Sequence, residues 1–127
     1  MTQSSNGLFK DLRVLVVEDE HLVALALTDD LEDAGAIVVG PASTVDNAMA
    51  LASEHPIDAA VLDIRLDSEL VFPVADTLMA RGVPFLFTTG YDADAVPAAY
   101  AHVPKCEKPA ANSAVLAVLA SLTGRAD

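Results

Sequence analysis

Residues 59–63 of the chain read Ala-Ala-Val-Leu-Asp, an apolar run that ends in a carboxylate, Asp63. Such a continuous apolar composition is typical of a strand that is buried on both faces. The earlier run Leu12–Val17 has the same character and is followed directly by the acidic pair Glu18-Asp19. Because ligands of parallel sheets bind beyond the carboxyl ends of the strands, we expect these three carboxylates to gather there. Crowded carboxylates are costly unless a cation lies among them, so the pattern indicates a metal site.

Other apolar runs alternate with segments of helical spacing, which predicts an α/β protein with a doubly wound parallel sheet and helices on both faces. The segment Asp63–Glu69 is predicted to be a polar loop. Pro97 weakens the helical pattern at Val96–Ala101, so we expect the fourth helix to be short or irregular. The predicted strands are Leu12–Val17, Ala36–Val39, Ile57–Leu62, Pro84–Thr88 and Val103–Glu107; the predicted helices are Glu20–Ala34, a second capped by Ser43 or Thr44 and ending near Glu54, Val71–Arg81, Val96–Ala101 and Ala111–Leu122.

The composition predicts one compact domain. With 127 residues, of which 53% are hydrophobic, the chain is long enough for a single core and too apolar to be disordered. We expect an N-terminal tail at residues 1–10, the domain at 11–123 and a C-terminal tail at 124–127. No output domain is expected within this length.

Charge and cysteine content exclude several classes of partner. Nineteen acidic and seven basic residues give a net charge of −12, which would repel nucleic acid. Cys106 is the single cysteine, so no internal disulfide can form. No apolar run approaches the length of a membrane span, and the N-terminus lacks a signal-peptide pattern. We therefore expect a cytoplasmic protein with neither a nucleic-acid nor a membrane partner.

The ends of two later runs add a hydroxyl and an ammonium group. Thr89 follows the fourth predicted strand and Lys108 follows the fifth. Phosphoryl transfer needs an in-line nucleophile and positive charge over the equatorial oxygens. Asp63 is the expected nucleophile, and Lys108 and Thr89 are expected to donate to phosphoryl oxygens.

The remaining oxygen atoms suit Mg²⁺, which prefers oxygen ligands and keeps several waters. We expect Glu18, Asp19 and Asp63 to hold this ion together with the backbone carbonyl of Arg65, two residues beyond Asp63. Each element has an ordinary explanation when taken alone, such as a turn, a helix cap or a solvated lysine. Their occurrence together, each at its own strand end, is more specific.

The motifs that carry this chemistry resemble those of the receiver domains of two-component response regulators (CheY-like). The resemblance extends over residues 11–123 and implies a flavodoxin-like sheet of order 2-1-3-4-5. It implies that Asp63 is the phosphoacceptor, Glu18 and Asp19 the metal-binding pair, and Thr89 and Lys108 the switch residues. It also implies a protein that catalyses its own phosphorylation and dephosphorylation and is not a conventional turnover enzyme. The matching motifs are Val-Glu-Asp-Glu (17–20), Leu-Asp-Ile-Arg-Leu (62–66), Thr-Thr-Gly (88–90) and Lys-Pro (108–109).

A subfamily is suggested by residues 84–91, which read Pro-Phe-Leu-Phe-Thr-Thr-Gly-Tyr. This stretch looks like the Pro-Phe-x-Phe-Ala-Thr-Gly-Tyr motif of the "FAT GUY" receivers, with Thr88 in place of Ala. The resemblance implies a partner histidine kinase of the HWE or a related family and an irregular fourth helix.

Lys105 departs from the family pattern, because many receivers carry an aromatic residue at this position. The usual coupling between the threonine and that aromatic is therefore not expected. Arg65 and Tyr91 each lie two residues beyond a site residue. We hypothesise that these bulky side chains restrict attacking water and prolong the aspartyl phosphate.

The leading interpretation is a single-domain response regulator that takes a phosphoryl group from a histidine kinase or a phosphotransfer histidine. Its signal would leave by protein contact, or the domain would act as a phosphate sink; the downstream partner is not specified by the sequence. Three alternatives stay open: a phosphorylation-independent interaction module with a vestigial pocket, a receiver excised from a larger protein, and a phosphatase with an aspartyl nucleophile.

Overall fold

The computed structural model describes residues 7–90 and 96–125. Strands and helices alternate along these residues, as the apolar runs and helical spacing predict. In chain order the elements are β1 (Arg13–Val17), α1 (His21–Asp33), β2 (Ile37–Ala42), α2 (Val45–Glu54), β3 (Ala59–Asp63), β4 (Arg65–Leu66), β5 (Glu69–Leu70), α3 (Phe72–Ala80), β6 (Phe85–Thr89), β7 (Lys105–Glu107) and α4 (Asn112–Leu122).

Five strands form one parallel sheet in the order β2-β1-β3-β6-β7. Among the residues that the structure describes, the strands β4 and β5 pair only with each other, in an antiparallel hairpin. When the hairpin is set aside, the sheet has the predicted order 2-1-3-4-5, so the predicted flavodoxin-like α/β fold is confirmed. All carboxyl ends of the five strands lie at one edge of the sheet.

The sheet separates two apolar clusters, one on each face. In β1, Val14 and Val16 belong to the cluster that α1 and α4 cover. The alternate residues Leu15 and Val17 belong to the cluster that α2 and α3 cover. This period of two explains the continuous apolar run of β1, since both faces of the strand are buried.

Strand β2 is longer than predicted, because it passes through Gly40-Pro41, where the sequence predicted its end. Its register against β1 shifts between Leu15 and Val17, so β2 carries extra length there. Gly40 has a φ of +101°, and a Cβ at this position would lie 3.0 Å from the carbonyl oxygen of Val16. The glycine therefore permits an irregularity in the strand where we expected the strand to stop.

The predicted polar loop after Asp63 is also wrong in part, because it contains the hairpin β4–β5. Leu66 is 1% exposed and packs into the α2/α3 cluster, and Val71 N–H donates to the Ile64 carbonyl at 2.9 Å. These contacts hold the segment against the core. Two-residue strands are too short to show a period of two in the sequence.

The predicted fourth helix is a short 3₁₀ helix, Ala98–Tyr100, which agrees with the expectation of an irregular element. Its Tyr100 side chain is buried. Phe9 is also buried, and its N–H donates to the Ala34 carbonyl at 2.8 Å. The packed core thus includes a residue from segment 1–10, which we expected to be a tail. Among the helices of the described residues, none has both the length and the apolar character needed to cross a bilayer.

Candidate functional site

The predicted site residues that the structure describes lie at the carboxyl ends of neighbouring strands. Asp63 is the last residue of β3 and Thr89 is the last residue of β6. Glu18 and Asp19 follow β1, and Lys108 follows β7. Because β1, β3, β6 and β7 are adjacent in the sheet, these residues lie at one edge of it.

Glu18, Asp19 and Asp63 form an acidic cluster in which one carboxylate oxygen from each lies within 4.8 Å of the others. Asp63 is 4% exposed and Glu18 is 6% exposed, whereas Asp19 is half-buried. Like charges held this closely and shielded from water repel each other strongly. Oxygen donors of this kind suit a hard divalent cation, so the donor set fits Mg²⁺.

Lys108 supplies positive charge to this cluster. Its Nζ donates to Asp63 Oδ2 at 2.9 Å and lies 3.2 Å from Glu18 Oε1. Glu20 Oε1 is 3.6 Å away on the exposed side. Burial lowers the pKa of Lys108, but the hydrogen bond and charge of Asp63, with the charge of Glu18, outweigh burial and raise this pKa to about 12. The ammonium form is therefore fixed beside Asp63.

The Glu18 carboxyl has a raised pKa. Burial, together with the nearby charge of Asp63, raises its pKa from 4.5 to about 7, although a hydrogen bond from Glu20 N–H opposes the shift. That bond has a length of 3.0 Å to Glu18 Oε2. A cation at the cluster would favour the ionised form.

The hairpin β4–β5 holds Asp19 through a hydrogen bond. Asp19 Oδ2 accepts a hydrogen bond of 2.7 Å from the backbone N–H of Asp67. Asp67 is the first turn residue between β4 and β5 and has a positive φ of 57°. Sequence reasoning assigned Asp67 to a solvated loop and missed this contact, which depends on the turn conformation.

Thr89 is buried, and its Oγ1 lies 3.5 Å from the Gly90 carbonyl oxygen. The Thr89 carbonyl accepts a 2.6 Å bond from the backbone N–H of Lys108. An open cavity of about 290 Å³ lies beside these residues and the acidic cluster. Its lining includes Asp63, Thr89, Lys108 and also Arg65.

Arg65 is the first residue of β4 and has an exposed side chain at this cavity. The predicted use of its backbone carbonyl by a metal stays a prediction. Tyr91, the other predicted modulating residue, lies outside the described residues. Glu20 was missed as a neighbour of Lys108, although its place in the Val-Glu-Asp-Glu motif put it next to the cluster.

Comparisons with known proteins place this geometry in a family. No family model matches the chain, and no curated protein matches it. SdrG from Sphingomonas melonis Fr1 is 38% identical, with 94% of this chain and 98% of that chain covered and a TM-score of 0.76. The BeF3-activated conformation of SdrG from Pseudomonas melonis Fr1 is 39% identical, with 87% and 95% covered and a TM-score of 0.72.

The fold is also that of a response regulator receiver protein from Sinorhizobium medicae WSM419, with 22% identity, 91% and 97% of the two chains covered and a TM-score of 0.75. That likeness concerns the fold alone. The 38% identity to SdrG over nearly the whole of both chains shows that this protein belongs to the response regulator receiver family.

Proposed function

We propose that this receiver accepts a phosphoryl group on Asp63 from a histidine kinase or a phosphotransfer histidine. The observation that carries the proposal is the contact of 2.9 Å between Lys108 Nζ and Asp63 Oδ2, beside the Glu18 and Asp19 carboxylates. A buried carboxylate with a fixed ammonium on one side and an acidic cluster on the other suits an acceptor of a charged group.

In the proposed reaction an Asp63 carboxylate oxygen attacks the phosphorus of the donor phosphohistidine. An O–P bond forms, the P–N bond breaks, and the imidazole nitrogen takes the electron pair and then a proton. Lys108, whose Nζ contacts both Asp63 and Glu18 before the reaction, would then donate to a phosphoryl oxygen, and the Thr89 hydroxyl would donate to another. Mg²⁺, held by Glu18, Asp19, Asp63 and the Arg65 carbonyl, would neutralise charge on the phosphoryl oxygens.

The reaction modifies the protein itself, so we propose a signalling domain and not a turnover enzyme. We further propose that it works in the cytoplasm as a single-domain regulator, acting by protein contact or as a phosphate sink. Residues 84–91 support a place in the FAT GUY group and a partner kinase of the HWE or a related family.

The test is phosphorylation by acetyl phosphate with Mg²⁺, followed by intact mass. We expect one added phosphoryl group in the wild type and none in Asp63→Asn. BeF3⁻, which imitates a phosphoryl group, should shift the amide resonances of the wild type in the presence of Mg²⁺. A wild type that takes up no phosphoryl group from acetyl phosphate or from any histidine kinase would contradict the proposal and favour an interaction module.

A further inference from the structure

We propose that Asp67 is a positioning residue of the metal site, whose backbone N–H holds the Asp19 carboxylate in place before Mg²⁺ binds. The inference rests on the proposed function, because it takes Asp19 as a metal ligand. It gives the hairpin β4–β5 a role that is separate from the acceptor chemistry of Asp63.

The contact joins two distant parts of the chain. Asp67 N lies 2.7 Å from Asp19 Oδ2, although the two residues are 48 positions apart. This distance is at the short end for an N–H···O bond. A carboxylate that is held through one oxygen keeps its other oxygen for an ion. Since Asp19 is only half-buried, its side chain would otherwise sample several rotamers.

The direction of the N–H depends on the turn. Asp67 is the first of two residues between Leu66 and Glu69, and its φ of +57° lies in the left-handed region. Asn, Asp and Gly enter this region more easily than other residues. A residue that avoids positive φ would rotate the peptide and turn the N–H away from Asp19.

The hairpin that carries the donor is itself anchored. Leu66 packs into the core beside the turn. Glu69 Oε1 accepts a 3.4 Å bond from Val45 N–H at the start of α2, and Val71 N–H bonds the Ile64 carbonyl. The donor is therefore fixed relative to the sheet, which is the requirement for holding a ligand in advance.

Four neutral substitutions at position 67 separate the donor from the charge of the Asp67 side chain. Asp67→Asn and Asp67→Gly permit positive φ and keep the N–H; Asp67→Ala keeps the N–H but disfavours positive φ; Asp67→Pro loses both. All four remove the same charge, and equal behaviour of Asp67→Asn and Asp67→Gly would show that the side chain itself does not matter, so that a loss in Asp67→Ala comes from the backbone. We expect Asp67→Asn and Asp67→Gly to bind Mg²⁺ with equal affinity. Asp67→Ala should bind it about tenfold more weakly, and Asp67→Pro more weakly still.

The measurement is a Mg²⁺ titration of the full chain, monitored by amide chemical shifts. The melting temperature of each variant in metal-free buffer shows whether the variant is folded. If the wild type binds Mg²⁺ and Asp67→Asn, Asp67→Gly and Asp67→Ala bind it with equal affinity, the positioning role is overturned and the proposed function is left intact. A wild type with no Mg²⁺ affinity would overturn both. If the Pro variant fails to fold, the Ala, Gly and Asn comparison still decides.

A second readout reports the bond without any metal. Hydrogen exchange of the residue 67 amide should be slow in the wild type and clearly faster in Asp19→Ala. Asp63→Asn, which removes another carboxylate charge of the cluster, should leave that exchange rate unchanged. The same exchange rate in wild type and Asp19→Ala would show that the bond does not form in solution.

Discussion

At the scale of single residues, Glu18 and Asp19 are adjacent in sequence but have different surroundings. Glu18 is buried beside Asp63 and Lys108, whereas Asp19 is half-buried and bonded to the hairpin. Burial raises the pKa of Glu18 to about 7, so the folded metal-free protein retains a proton there that the unfolded chain releases near pH 4.5. The proposed metal binding at this cluster would therefore compete with a proton on Glu18.

This proton gives a pH prediction for Glu18→Gln. A raised pKa means that the contribution of Glu18 to stability is fully present below pH 4.5 and is lost as pH rises through about 7. In metal-free buffer, the unfolding free energy of the wild type minus that of Glu18→Gln should fall across this range, as measured by urea denaturation. Saturating Mg²⁺ should reduce the fall, and a difference that rises with pH would contradict the assignment.

Arg65 gives a second prediction, on the lifetime of the phosphorylated state. Its side chain is exposed at the cavity that contains Asp63. If it restricts the approach of water, Arg65→Ala should shorten the lifetime severalfold, as followed by loss of the added mass. Arg13→Ala is the matched control, because Arg13 begins β1 at the opposite edge of the sheet. Tyr91→Ala is expected from the sequence to act in the same direction, and unchanged lifetimes would remove both residues as modulators.

At the scale of elements, Lys105 stands where many receivers have an aromatic residue, and it makes a structural contact there. Its Nζ donates to the carbonyl oxygens of Val103 at 2.8 Å and Tyr100 at 3.2 Å. Tyr100 in turn stacks on Phe72, with ring centroids 5.7 Å apart. The lysine thus connects β7 to the end of the 3₁₀ helix.

We therefore expect Lys105→Met to loosen this segment without disturbing the acidic cluster. The variant should lose about 1 kcal/mol of unfolding free energy, the typical net value of such hydrogen bonds. Hydrogen exchange of the Val103 amide, which bonds the Tyr100 carbonyl at 3.0 Å, should become faster. Lys10→Met is a control for the loss of an exposed charge, and equal exchange in the two variants would contradict the contact.

Elements with a clear local sequence pattern were predictable, and those that depend on distant contacts were not. The apolar runs of β1 and β3 could be recognised from the sequence, which also left the cap of α2 between Ser43 and Thr44. The structure assigns the cap to Thr44, whose Oγ1 accepts from Asn47 N–H at 3.1 Å. The continuation of β2 past Gly40 and the hairpin after Asp63 could not, because a register shift and a pair of two-residue strands leave no periodic pattern.

At the scale of the whole molecule, the parallel sheet determined how much of the candidate site was predictable. One sheet edge collects every strand end, so Asp63, Lys108 and the acidic pair could be placed together from chain order alone. Contacts from outside the sheet were missed, such as the bond of the hairpin to Asp19. The gathering of these residues at one edge was thus predictable, but their support from the hairpin was not.

The acidic cluster leads to a prediction about the stability of the whole fold. If Mg²⁺ binds the assembled cluster and not the unfolded chain, as proposed, then at about ten times its Kd it should stabilise the protein by about 1.4 kcal/mol. The melting temperature should rise by a few degrees. Asp19→Ala should lose this response, whereas Asp33→Ala, at the other end of α1, should retain it. A full response in Asp19→Ala would show that the ion binds elsewhere.

The backbone bond from Lys108 to the Thr89 carbonyl has a consequence for genetics. Main-chain atoms fix the spacing of these two residues, so a substitution of either side chain leaves the other in its native position. Under the proposed function, substitutions of the two residues should therefore give separable phenotypes. A Thr89 variant would still accept a phosphoryl group on Asp63 but would not respond to it, whereas a Lys108 variant would be impaired first in accepting the phosphoryl group. Suppressors of one would not be expected to rescue the other.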